Sequence, residues 1–391
     1  MIMIRIKMFP AKNGDSFLIQ TGTMHNGFIL IDGGYSSTFT SYIKPELMKL
    51  NEQNYKLGLV VNTHIDEDHI KGIIKFVQDN GVSTHTNVIP IENFWHNSLR
   101  SITDTINPPS QYSKPDKELL AQISTRGYSN NNEGNNEISA RQGSSLAKCL
   151  VQYKYNWNSG EGYQSINTQT TPTFALKDNE EVVIKVLSPT PNALEQLKGK
   201  WKKELKKLGF AGNALNQEFD DGFEFLLSKD QANTTSNLIS SSEKELEDIY
   251  IPDTSITNRS SISILIEYEE KRLLFLGDSW SEDIESSLIA LYGDDKQIIF
   301  DAIKVSHHGS LNNTSPRLLS LVDSPLYFIS TNGKKHNHPD MPLMKAIIQR
   351  PSDFSRKIYF SEKNKNTQSL YPLQKEFDFE VIEQANEWIH I

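Results

Sequence analysis

The stretch Lys56–His69, KLGLVVNTHIDEDH, runs from an apolar segment straight into two histidines and three acids packed within seven residues. Leu57–Val61 is short and aliphatic, as a buried strand should be. Asp68–Gly81 then places Ile70, Ile73, Ile74 and Val77 at helical spacing, with Gly81 as a stop. The crowded motif therefore occupies a strand-to-helix loop at the carboxyl edge of a sheet, where α/β proteins keep their ligands. In extended backbone, side chains at i and i+2 project to one side, so His64 and Asp66 can grip one cation. Asp68 and His69, entering the helix, can reach a second.

Working outward, the N-terminal side reads as a β-meander: Met1–Phe9, Gly14–Gly22 and Gly27–Tyr35 are short, apolar and closed by glycine or asparagine. Thr38–Gln53 reads as a helix. On the C-terminal side, Ser260–Asp278 reads as a hairpin turning near Glu269–Lys271. It is followed by strands in Ile298–Ser310, Pro325–Gly333, Arg356–Glu362 and Phe379–Ile391, and by a helix at Pro342–Arg350. Between these halves the pattern loosens. Residues 127–145 and 228–248 are polar, low-complexity segments that read as mobile loops. Glu181–Pro189 nevertheless reads as a strand. Asn192–Phe210 reads as a helix with Leu194, Leu197, Trp201, Leu205 and Leu208 on one face. The expectation is one domain over residues 1–391, with residues 100–255 as a large central insertion.

Composition narrows the class. Of 391 residues, 37% are hydrophobic and 23% charged, the balance of an ordinary soluble protein. No run approaches the roughly 18 apolar residues of a spanning helix, so no membrane crossing is expected. The N-terminus lacks the apolar core of a signal peptide. Cys149 is the one cysteine, which excludes an internal disulfide framework and a cysteine-built zinc cluster and points to a cytoplasmic address. A net charge of −9 argues against a broadly basic nucleic-acid surface but leaves room for a local one.

Three further loops end strands with metal-type side chains: LLFLGD at Asp278, KVSHHGS at His307 and His308, and KKHNHPD at His336 and His338. Single histidines are usually ordinary surface or core residues. Six gathered at strand ends beside Asp66, Asp68 and Asp278 point to a metal centre. Asp278, from the other half of the chain, is suited to bridge two ions. Two divalent cations roughly 3.5–4 Å apart can share a hydroxide nucleophile and clamp the oxygens of a reacting ester. Lys304, two residues before Ser306 in a strand, is expected to face solvent.

The order of LIDGG with Asp32, then THIDEDH, LGD, SHHGS and HP resembles the metallo-β-lactamase superfamily, most closely the hydrolase domain of the ComEC-like competence proteins. The resemblance covers roughly residues 1–95 and 255–391 and leaves the central insertion outside. It implies an α/β fold, a four-layer αβ/βα sandwich with a dinuclear site at one edge of two facing sheets. By position, His64 and Asp66 would hold the first metal, Asp68 and His69 the second, and Asp278 would bridge. The SHH loop would complete the second site through His307, which directly follows the strand, or through His308. Asp32 would orient the ligand loop. His338 could contact a phosphate or protonate a leaving group.

Two departures from the family pattern matter. Asp66 stands where a second histidine is usual, and the usual histidine between the halves is absent, with Asn258 or Ser260 in its place. An oxygen-richer first site admits manganese as well as zinc, and one ion could be held more tightly than the other. The expected function is a metal-dependent hydrolase using a metal-bound hydroxide, a phosphodiesterase or nuclease, with Asp68, Asp278 and His338 as the acting residues. Alternatives are hydrolysis of a small phosphoester or nucleotide, and a partner-dependent module with a partly degenerate site that docks a protein through residues 100–255. The lysines at 198, 200, 202, 203, 206 and 207 crowd around Trp201, and such a helix could follow a phosphate backbone or present a solvated face.

Overall fold

Alternation along single strands decides the layering. The computed structural model describes residues 4–103, 113–126, 145–176, 179–210, 212, 215, 219–228 and 246–391. Among them, the first half contributes β1 (Ile4–Met8), β2 (Phe17–Thr21), β3 (Phe28–Ile31), β4 (Leu57–Val61) and β5 (Phe94–Trp95). The second contributes β6 (Thr173–Leu176), β7 (Asn179–Ser188), β8 (Ser263–Tyr268), β9 (Lys271–Phe275), β10 (Ile298–Ile299), β11 (Ala302–Lys304), β12 (Val322–Asp323), β13 (Leu326–Ile329), β14 (Arg356–Phe360), β15 (Phe379–Ile382) and β16 (Ile389–His390). One sheet runs β16-β1-β2-β3-β4-β5, the other β15-β14-β13-β11-β9-β8-β7-β6, and β10 and β12 form a small separate ladder.

Each sheet starts as an antiparallel meander and turns parallel at β3–β4 and at β9–β11. Odd and even side chains go to opposite faces. Leu59 and Val61 of β4 join Ile6, Phe17, Ile264 and Phe275 in a core between the sheets, where Phe17 lies edge-on to Phe275 at 5.5 Å. Val60 faces outward with Leu30, against Ile70, Ile73 and Phe76 of the helix Glu67–Asn80. The second sheet covers its outer face with Ile284, Leu288, Leu343 and Ile347. Helix, sheet, sheet and helix make four layers.

The stretch 100–255 is not one appended unit. β6 and β7 form the edge of the second sheet, β7 pairing antiparallel with β8, so Thr173–Leu176 and Asn179–Ser188 belong to the framework. The helices Lys114–Arg126, Leu146–Gln152, Pro191–Lys207 and Asp220–Leu227 thicken the outer layer of the first sheet, burying Leu120, Leu150, Leu197 and Trp201 in its core. The polar segments 127–145 and 228–248 fall almost wholly outside the described residues. Trp201 is fully buried against Phe223, ring centres 5.7 Å apart, so it is core. Leu208, expected on the same apolar face, is 42% exposed because the helix ends at Lys207 and Leu208 is its cap. The expected strand through Ile298–Ser310 breaks into β10 and β11. There the Asp301 carboxylate accepts from the Arg272 amide and Lys271 Nζ, at 2.9 and 2.8 Å.

A close approach of backbones seats the helix Glu67–Asn80 on the turn after β3. The Gly33 amide donates to the His69 carbonyl at 3.0 Å and the Gly72 amide to the Gly34 carbonyl at 2.8 Å. A Cβ on Gly72 would sit 1.8 Å from the Gly33 oxygen, which no L side chain tolerates. Gly72→Ala is expected to lower stability by about 1–3 kcal/mol, the usual cost of overpacking. Urea unfolding checks this, and an unchanged midpoint would show that the helix shifts freely.

Candidate metal centre

The site residues sit where parallel strands end. β3 leads to Asp32, β4 to the His64–His69 loop, β9 to Asp278, β11 to His307 and His308, and β13 to Ser330. Two backbone links hold these loops together, the first within the second sheet and the second across the sheets. The His307 amide donates to the Gly277 carbonyl at 3.0 Å, and the Ile262 amide to the Thr63 carbonyl at 2.9 Å. Asp32, His307 and His308 all have left-handed backbone, with φ of 55, 45 and 57°. Such conformations are uncommon outside glycine and persist where the surroundings enforce them.

Four imidazoles converge on one carboxylate oxygen. Nε2 of His69 lies 3.4 Å from Oδ2 of Asp278, Nε2 of His308 3.6 Å, and those of His64 and His307 3.8 Å each. His64 Nε2 is also 3.6 Å from Asp66 Oδ2, and His308 Nε2 is 3.9 Å from Asp68 Oδ2. Every ring is held by its other nitrogen. Nδ1 of His69 is 2.7 Å from Asp32 Oδ2, that of His307 2.7 Å from Asn313 Oδ1, and that of His308 2.9 Å from the Ser330 carbonyl. Nδ1 of His64 lies 3.1 Å from Thr63 Oγ1. Acceptors at Nδ1 keep the Nε2 lone pair available for a ligand, the usual arrangement around metal-bound histidines. Asp32 also accepts from the Thr63 amide and hydroxyl, both at 2.7 Å, so one side chain sets the loop and the ring together.

The residues fit divalent cations. His64, His69 and Asp278 bring ligand atoms within 4.8 Å of one another, and so do Asp68, His69 and His308. His64 Nε2, His69 Nε2, Asp66 Oδ1 and Asp278 Oδ1 are buried without a hydrogen-bond partner, a rarity in folded proteins. Asp15, Asp32, Asp66, Asp68 and Asp278 are all at most 8% exposed. Burial opposes the charge of Asp278, yet His69, His308 and His307 hold it well below the ordinary carboxylate range. Burial also opposes charging of His69, but Asp278 and Asp32 raise its proton affinity well above the ordinary histidine value. The cluster attracts positive charge.

Some site residues were not legible. Lys304, expected to face solvent, is 2% exposed. It forms an ion pair with Asp15, donates to the Gly277 carbonyl at 2.8 Å and lies 3.8 Å from Asp278 Oδ1. Asp15 in turn places Oδ1 3.2 Å from His308 Nδ1. Asn13 donates to Asp68 Oδ2 at 2.5 Å and accepts from the Tyr35 hydroxyl at 3.1 Å. The only sequence signal for Asn13 and Asp15 is the short NGDS turn before β2. At the position of the usual mid-chain histidine, Asn258 stands 3.5 Å from His307 Nδ1, whereas Ser260 turns away to the Thr257 carbonyl. His338 faces His307 with ring centres 5.4 Å apart and has Nδ1 3.4 Å from Asp340. Burial lowers its proton affinity.

A family model described as the metallo-beta-lactamase superfamily matches residues 10–125, the part of the chain that carries THIDEDH. This match and the two-sheet layering agree with the metallo-β-lactamase sandwich expected from the sequence. No curated protein matches. A solved structure of a CmlA beta-hydroxylase mutant is similar over 100% of this chain and 54% of its own, with 9% identity and a TM-score of 0.35. The chain thus spans about half of that protein, and so distant a likeness bears on no activity.

Asp32→Ala is expected to weaken binding of zinc or manganese about 10–100-fold by releasing the His69 ring. Chelator competition measures this, and unchanged affinity would remove the orienting role.

Proposed function

We propose that the protein is a metal-dependent hydrolase that cleaves phosphodiesters, with nucleic acid as its substrate class. The observation that carries the reading is the convergence of four imidazoles on Asp278 Oδ2, with Asp66 and Asp68 flanking them. His64 and Asp66 would hold one divalent ion, and Asp68, His69 and His308 the second, with Asp278 between. Imidazole suits zinc and carboxylate suits manganese, so both ions are compatible with this donor set. When bound, such ions acidify a water and neutralise charge developing on phosphoryl oxygens.

The chain's own residues orient and exclude. Asp32, Asn313 and Ser330 fix three rings, while Asn13, held by Tyr35, fixes Asp68. His338, buried beside His307, would hydrogen-bond a leaving oxygen. The phosphodiester assignment draws on the motif order shared with ComEC-like proteins. It draws also on the helix Pro191–Lys207, which is tied to this rim by Lys200 Nζ donating to Thr257 Oγ1 at 3.0 Å. Lys202, Lys203 and Lys206 lie on its exposed face.

A small phosphoester or nucleotide is the second reading. Burial of Trp201 removes the aromatic that would stack bases, and Lys198 and Lys207 are paired to Glu195 and Glu204. Single- and double-stranded DNA, RNA and bis(p-nitrophenyl) phosphate, each with manganese or zinc, separate the two. Polynucleotide cleavage supports the first and turnover of small esters alone the second. The double substitution Asp68→Ala with His69→Ala should cost about 10³-fold or more in kcat while the fold survives. Unchanged turnover in that variant would contradict the assignment.

A further inference from the structure

We infer that Lys304 is a resident third cation of the metal centre, a positioning residue that keeps the buried carboxylates compatible with a folded chain when divalent ions are absent. The inference rests on the metal-centre reading above. β11 is a central parallel strand covered on both faces, so its side chains have no solvent side. An ammonium there is costly unless it is paired and hydrogen-bonded.

The surroundings of Nζ are those of a charge shared over the site. It pairs with Asp15 and donates to the carbonyl of Gly277, the residue before the bridging carboxylate. It also stands 3.8 Å from Asp278 Oδ1, the oxygen turned away from the four imidazoles. Asp15 carries the contact on to His308 Nδ1. Lys304 thus touches both the ligand that joins the two halves and the partner of the second half's histidine. Five buried carboxylates surround this centre, and among the described residues Lys304 is the lysine or arginine that these contacts bring to them. Histidine protons can supply further positive charge in the metal-free chain, and two divalent ions supply it in the loaded one. Removing the lysine should therefore harm the metal-free state far more.

Thermal unfolding of the full chain, stripped by chelator or saturated with zinc or manganese, tests this on wild type, Lys304→Gln, Lys304→Arg and Arg356→Met. Arg356 is the control, because it forms a buried pair with Asp323 (Nη2–Oδ2 2.5 Å) at the opposite end of the strands. The Gln variant should lose about 5–10 °C in Tm when stripped and regain most of it with metal, so its metal-induced rise exceeds that of wild type. The Arg variant should keep the wild-type rise, and Arg356→Met should fall equally in both states. An equal loss in both states for Lys304→Gln would overturn the inference, as would failure of that variant to fold even with metal. Absence of any metal-induced rise in wild type would instead overturn the metal-centre reading beneath it.

Discussion

Burying several like charges together is the constraint on which the rest of this molecule depends. Asp278 lies beneath four imidazoles, Asp66 and Asp68 flank them, and Asp15 and Asp32 stand behind. Carboxylates removed from water repel one another and lose hydration, so such a cluster persists only with compensating cations and hydrogen bonds. The fold provides these from both halves. Asp32 anchors a ring of its own half, whereas Asp15, Lys304 and Ser330 cross from one sheet to the other. The two-sheet core can be read as the scaffold that holds these loops against their mutual repulsion.

The backbone records the same tension. His307 and His308 are consecutive left-handed residues at the end of β11, and Asp32 is left-handed at the end of β3. Gly277 is also at positive φ, and a Cβ added to it would sit only 3.2 Å from Ser261 Cβ. These turns lift side chains out of the strand direction and aim them across the gap. Asparagine plays a supporting part: Asn258 and Asn313 both donate to Asp253 behind His307, fixing a ring that lies on the rim.

Much of this was legible because β4 is a short unbroken aliphatic run and the helix after it repeats at helical spacing, and the change between them marks the loop. The histidines and aspartates at four strand ends stood out in the sequence, and the fold brings those at three of them, after β4, β9 and β11, together. Lys304 did not stand out, because alternation loses its meaning in a strand covered on both faces. Asp15 was hidden because an Asp after Gly before a strand looks like any turn, and its partner lies in the other half. Trp201 illustrates the reverse case: lysines around an aromatic suggest a binding face, but the aromatic was filling the core. β7 was legible as the strand read at Glu181–Pro189, whereas β6 was obscured by the irregular sequence before it.

The final strands carry a further consequence. β15 joins the edge of the second sheet and β16 crosses back to pair with β1 in the first, Ile6 opposite Ile389. With ligands drawn from residues near 64 and near 307, cations at the centre would act as a non-covalent cross-link closing a very long stretch of chain. Closing such a loop costs entropy that grows only slowly with its length, so one compact cluster can tie distant segments together. The strap at one edge and the ion cluster between the sheets would resist their separation at different points, as a hinge and a latch do on a case.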